Sequence, residues 1–171
     1  MRLVWIITLA AATAALNAQQ PAEKTFTSGA DVTAMIAKAK SERKPDQPNF
    51  IQTLLQASPY KVNLEYRVRG VDTTPNVHEQ EAELVYVVDG GGTLTVGGKL
   101  RDPKRLNPAN LTGSAIEGGD PRQIAKGDFV MIPENTAHGF HATSDNLVIM
   151  SIHLPRGESA KLGAGKVGAT K

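Results

Sequence analysis

The stretch TPNVHEQEAELVYVVDGGG, residues 74–92, sets His78, Glu79, Glu81 and Glu83 ahead of the apolar run Leu84 to Val88, which ends at Asp89 and three glycines. Asn76 and His78 are two apart, so in an extended segment both project from one face. Glu83 opens the next strand and can turn back beside them. Glycines tolerate the positive backbone angles of a tight reversal, so Glu83 to Asp89 and Thr93 to Val96 are expected to pair as a hairpin around DGGG.

Fixed spacings extend outward from this stretch. Gly70, Asn76, His78, Glu83 and Gly90 stand in the order G-x5-N-x-H-x4-E-x6-G. Downstream, GDFVMIPENTAH, residues 127–138, reads G-x5-P-x-N-x2-H through Gly127, Pro133, Asn135 and His138. In both runs a turn delivers a histidine to an extended segment.

The pair resembles the two signature motifs of the cupin superfamily, G-x5-H-x-H-x4-E-x6-G and G-x5-P-x-G-x2-H-x3-N. Seven positions match: Gly70, His78, Glu83, Gly90, Gly127, Pro133 and His138. At residue frequencies of about one in fifteen to one in twenty, a chance match is on the order of one in 10⁹, so coincidence loses even with a generous allowance for the choice of motif. Three positions depart from the pattern. Asn76 replaces the first histidine, Asn135 the turn glycine and Ala142 the final asparagine. Asparagine is the next-best residue at a left-handed turn position, so Asn135 costs little.

The resemblance, which spans residues 60–155, implies an all-β cupin-type β-barrel (a double-stranded β-helix or jelly roll). It also implies a divalent metal in the barrel mouth held by His78, Glu83 and His138, with Asn76 in the fourth position. For Asn76, direct ligation and a hydrogen bond to a ligand both stay open. Read from the residues alone, two neutral imidazoles and a carboxylate suit a divalent first-row metal with positions left for water or substrate; iron, manganese, zinc, nickel and copper all fit. An amide oxygen is a weaker ligand than imidazole, so such a metal would be held less tightly and be more Lewis acidic than in a three-histidine site. Glu79 and Glu81 are expected on a solvated turn. His141, three residues beyond His138, is expected on the opposite strand face. The burial of His153 is not legible.

The rest of the chain reads as strands, with one helix near its start. FIQTLLQ is a short strand after the turn KPDQPNF, and in YKVNLEYRVRG the residues Val62, Leu64, Tyr66 and Val68 alternate with Lys61, Asn63, Glu65 and Arg67, the period of a strand with one buried face. DFVMIP, HGFHA and NLVIMSIHLP are further strands. Ahead of them, SGADVTAMIAKAKSER places Val32, Met35, Ile36 and Ala39 at helical spacing behind the start signal of Ser28 and Asp31, a helix suited to covering the open edge or face of a sheet. Between residues 99 and 126 the pattern lapses into a Pro-, Gly- and Asn-rich run, expected as an ordered insertion serving as a lid over the site or as a contact in a homodimer. Within it, Asn110-Leu111-Thr112 is a glycosylation sequon that matters only in a eukaryotic host.

Length and composition fit this division. At 171 residues the chain has room for one core. Residues 1–18 begin with Arg2, continue through an apolar run and reach small residues at Ala14, Ala15 and Ala18; they are expected to be a cleaved signal peptide that directs a periplasmic or secreted protein, with no membrane span after cleavage. Residues 19–59 form a linker, the helix and a first strand, 60–155 the barrel, and 156–171 a flexible tail. The absence of cysteine excludes disulfides and a lipid-modified cysteine. Losing Arg2 takes the formal charge from +2 to +1, and no basic stripe interleaved with aromatics suggests nucleic acid. The partner expected is a small molecule: either the substrate of a metal-dependent oxygenase, isomerase or lyase, or the ligand of a non-catalytic binding cupin whose metal site has weakened at Asn76.

Overall fold

The computed structural model describes residues 22–157; the expected signal, residues 1–18, and residues 158–171 of the expected tail lie outside them. A helix, α1 (Gly29–Glu42), precedes the strands β1 (Phe50–Ala57), β2 (Tyr60–Val68), β3 (Asn76–His78), β4 (Glu81–Val96), β5 (Lys99–Arg101), β6 (Lys104–Asn107), β7 (Asn110–Thr112), β8 (Ala115–Glu117), β9 (Asp120–Ala125), β10 (Phe129–Ile132) and β11 (His138–Pro155). All pairings are antiparallel. One sheet runs β1-β2-β11-β3-β7-β6 and branches at β4, which pairs with β9, β10 and β11. The sheet curls into an all-β barrel of the expected class.

The helix starts where the sequence placed it. Ser28 Oγ accepts from the Asp31 amide at 3.1 Å and Asp31 Oδ2 accepts from the Ser28 amide at 3.0 Å, a reciprocal cap that satisfies two otherwise orphaned donors. Val32, Met35, Ile36 and the fully buried Ala39 pack onto Leu54, Leu64, Tyr66 and Val148, so the helix covers a sheet face. That cover changes β2. A single buried face is expected from its alternation, but Asn63, Glu65 and Arg67, each 7% exposed, are buried on the other side. With Leu64 and Tyr66 claimed by the helix, the polar set is left to face the barrel interior.

Two long strands form the spine. β4 and β11 pair from Pro155↔Glu81 to His138↔Val96, with register shifts where β11 bulges between Ala142 and Leu147 and where β4 carries one extra residue opposite Val148 and Ile149. The expected hairpin at DGGG is therefore absent: Gly90 to Gly92 lie inside β4, not at its end. They are glycines because the bulge presses on them. A Cβ on Gly90 would collide with the Asn146 carbonyl oxygen, and one on Gly92 with that of His141. HGFHA and NLVIMSIHLP are likewise the two ends of one strand, β11.

The Pro- and Gly-rich run from 99 to 126 is no appended insertion. It forms five short strands, of which β7 pairs with β3, β6 with β7, and β9 with β4 along Gly91↔Ala125 to Val96↔Asp120. It is part of the barrel wall. The core behind it gathers Val85, Val87, Leu94, Ile124, Ile132, Phe140, Leu147 and Ile149, all buried.

Candidate metal centre

His78 ends β3, Glu83 lies near the start of β4 and His138 begins β11, so strand pairing brings the three together. β11 pairs with β3 at His138↔Asn76, and Glu83 is opposite Ile132 of β10 and His153 of β11. The turn between β10 and β11 seats His78 as well. Asn135 adopts the left-handed conformation, φ 56°, as expected for a residue at the turn glycine's position, and its amide donates to the His78 carbonyl at 2.7 Å.

The donor atoms converge. Glu83 Oε2 lies 3.0 Å from His138 Nε2 and 3.7 Å from His78 Nε2, with Glu83 4% and His138 3% exposed. The far side of each ring is already engaged: His138 Nδ1 is 3.0 Å from the Thr136 carbonyl and His78 Nδ1 is 2.8 Å from Asn110 Oδ1. Acceptors at both Nδ1 atoms place the protons there and leave the Nε2 lone pairs facing the carboxylate. Glu83 Oε1 accepts from the Ser151 hydroxyl at 2.5 Å, while Oε2 is buried without a directional hydrogen bond despite the nearby imidazoles. Two lone pairs and an unsatisfied carboxylate oxygen aimed at one point fit a cation. His78, Glu83 and His138 thus form a group able to hold a metal ion.

The charges of the metal-free cluster are coupled through Glu83. Burial opposes the Glu83 charge, but the His138 imidazole and the Ser151 hydroxyl outweigh it and hold the carboxyl at about 2, below its ordinary 4.5. Burial pushes His78 below its ordinary value, against the Asn110 hydrogen bond. Burial also works against protonated His138, but the adjacent Glu83 carboxylate prevails and raises it, so a metal competes with a proton at His138 Nε2.

Asn76 lines the same cavity, of about 210 Å³, as His78, Glu83 and His138. Its amide nitrogen donates to the Thr74 carbonyl at 3.4 Å. His141 is exposed on the outer side, as expected. One residue departs from expectation, and one that the sequence left open finds its place. Glu81 is not left on a solvated turn: its carboxylate reaches His153 Nδ1 at 2.9 Å. His153 in turn lines the cavity with its ring 4.9 Å from that of His78, and His78, Glu81 and His153 form a second group able to hold a metal. Counting alternate residues back from His153 to His138 fails because the β11 bulge resets the alternation. Glu79 pairs with Arg105 through both oxygens, at 2.7 and 3.0 Å. Asn110, read as a sequon, spends its side-chain oxygen on His78.

No protein-family model matches the sequence, and no curated protein matches it. Solved structures do match by shape. A putative sugar phosphate isomerase from Acidithiobacillus ferrooxidans aligns with TM-score 0.51 and 23% identity over 77% of this chain and 75% of its own. An uncharacterized protein with a double-stranded β-helix domain from Klebsiella pneumoniae aligns with TM-score 0.50 and 14% identity over 66% and 82%. The Cnp3 cupin domain of Schizosaccharomyces pombe aligns with TM-score 0.51 and 9% identity over 70% and 74%. At these identities the likeness establishes the fold, which is that of the cupins.

Proposed function

We propose, with the cupin fold of this chain as the premise, that it is an exported metal-dependent protein acting on a small organic molecule in the barrel mouth. The observation that carries the reading is the convergence of His78 Nε2, His138 Nε2 and Glu83 Oε2, with both Nδ1 atoms already occupied. Fold alone would not support a function, because one fold hosts many chemistries.

His78, Glu83 and His138 would hold the metal, with Asn76 the nearest candidate for a further ligand. A bound divalent ion supplies Lewis acidity toward a substrate oxygen or a water. The chain's own contribution is position and exclusion: β2 and β11 wall the cavity, and the β6–β7 hairpin carries Leu106 and Asn110 to its rim. His153 also lines the cavity, its Nδ1 held by Glu81 and its Nε2 3.3 Å from the Ser151 hydroxyl that donates to Glu83, so it links Glu81 to the metal group. Oxygenation, isomerisation and lyase chemistry all fit such a site. Export rests on the character of residues 1–18; among the described residues no helix is long and apolar enough to cross a membrane.

Elemental analysis of protein purified without added metal, and after reconstitution, tests the reading. Near one metal per chain is expected, lost in both His78→Ala and His138→Ala; less than about a tenth of a metal per chain after reconstitution would sink it. A second reading, a non-catalytic binding cupin, is favoured by Asn76, whose amide is turned to a backbone carbonyl. Retained metal with no turnover across a broad panel of small substrates would favour that alternative.

A further inference from the structure

The cavity has a second polar wall, opposite in character to the metal group. On β2, Asn63, Glu65 and Arg67 are alternate residues and share the inward face; Asn49, just before β1, joins them. Arg67 Nη2 donates to Glu65 Oε2 at 2.5 Å and Asn49 Nδ2 donates to the same oxygen at 2.8 Å. Four atoms of this wall then remain buried without a partner among the described residues: the donors Nε and Nη1 of Arg67 and the acceptors Oδ1 of Asn49 and Asn63. Leaving such groups unsatisfied is costly, and folded proteins contain few of them. A wall that concentrates four beside a candidate metal centre is built for a ligand.

The chemistry of the ligand follows from the mixture. Arg67 is already neutralised by Glu65, so the wall has no net charge to offer an anion. A carboxylate only accepts, and would meet the two amide oxygens with like partial charge; an ammonium group only donates, and would meet the guanidinium edge. A hydroxyl does both from one atom. The Phe140 ring lies under the Arg67 guanidinium, its centroid 4.9 Å from the guanidinium carbon, and steadies that donor edge.

We propose that this wall is a subsite for a neutral, hydroxyl-rich small molecule of the sugar or sugar-alcohol class. Neighbouring hydroxyls accept from Arg67 Nε and Nη1 and donate to Asn63 and Asn49 Oδ1. In that orientation the far end of the molecule is directed toward His78, Glu83 and His138, and this last clause alone rests on the metal-centre reading. The same unpartnered atoms predict an opposition of stability and binding: removing the Asn63 carbonyl takes away a buried orphan and a ligand contact together.

Calorimetric titration of the metal-loaded chain with neutral hexoses, pentoses and hexitols, and in parallel with aldonic and dicarboxylic acids, tests the proposal. At least one neutral polyol is expected to bind, and Asn63→Leu to weaken it on the order of tenfold or more while melting no lower than the unsubstituted chain. Arg67→Lys, which keeps the charge but removes the guanidinium edge, should weaken the same polyol with unchanged metal content. Binding confined to the acids, no polyol binding at all, or polyol affinity indifferent to both substitutions would overturn it. Metal content measured alongside separates the two readings: polyol binding that needs Asn63 in a chain that takes up no metal leaves this subsite standing and removes the metal centre. Full metal without polyol binding does the reverse.

Discussion

Asn110 shows how much of a site can rest on a residue outside it. Its Oδ1, 2.8 Å from His78 Nδ1, fixes the tautomer that leaves Nε2 free, and it sits opposite His78 in the β3–β7 register. Without that acceptor the imidazole can rotate or carry its proton on Nε2, where a metal must displace it. Asn110→Ala should therefore weaken metal affinity by about 10- to 100-fold while leaving the fold intact, because Asn110 is only partly buried. Competition with a chromophoric chelator measures the affinity, and a thermal melt of the metal-free chains checks the fold. An unchanged affinity would mean that the Asn135 amide and strand pairing hold the ring unaided. At this scale His78, Glu83 and His138 were legible because motif spacing survives as residue pairs on neighbouring strands. Asn110 was not, since its role depends on a pairing between β3 and β7 that no local pattern announces.

At the scale of the element, the hairpin misreading has a plain cause: bulges and close approaches look like turns in a sequence. DGGG carries the residues of a reversal, yet the chain runs straight through it, because three small residues are also what a strand needs where a bulged neighbour leans in. The run from 99 to 126 hides its strands for another reason. Each is short, several face solvent, and alternation has too few residues to register. β2 was read correctly as a strand but with the wrong exposure, as its polar residues are those of an interior cavity, not of a surface. The glycine interpretation makes a discriminating prediction. Gly92 is buried and has an ordinary φ, so Gly92→Ala should be destabilising through collision with the His141 carbonyl and the Leu147 side chain, by about 2 kcal/mol or more. Gly127, with φ 96° and open space around a Cβ, should lose about 1–2 kcal/mol on the same change, from backbone strain and not from collision. Urea denaturation of the two variants measures both; a Gly92→Ala chain as stable as the unsubstituted one would overturn the close-approach explanation of DGGG.

Across the whole molecule, the candidate metal ligands tie the consecutive strands β3 and β4 to the sequence-distant β11. His78, Glu83 and His138 belong to β3, β4 and β11, and β11 pairs with β2, β3 and β4, so a bound ion would lock the mouth of the barrel at its most connected point. The chain has no cysteine and hence no covalent staple, which leaves packing and any bound ion to hold it. An ion that binds only the folded chain stabilises it by mass action, by about 2.7 kcal/mol when free metal stands at 100 times its dissociation constant. For a chain of this size each kcal/mol moves the melting temperature by about 2–4 °C, so stripping the metal should lower it by roughly 5–10 °C. In His138→Ala the same chelator should shift melting by no more than about 1 °C, because the ion has lost its buried imidazole. Scanning calorimetry of both chains, with and without chelator, decides the matter. A chelator-insensitive melt of the unsubstituted, metal-reconstituted chain would mean that the barrel is held by its two apolar clusters alone, and that the histidines and Glu83 form a polar cluster rather than a clasp.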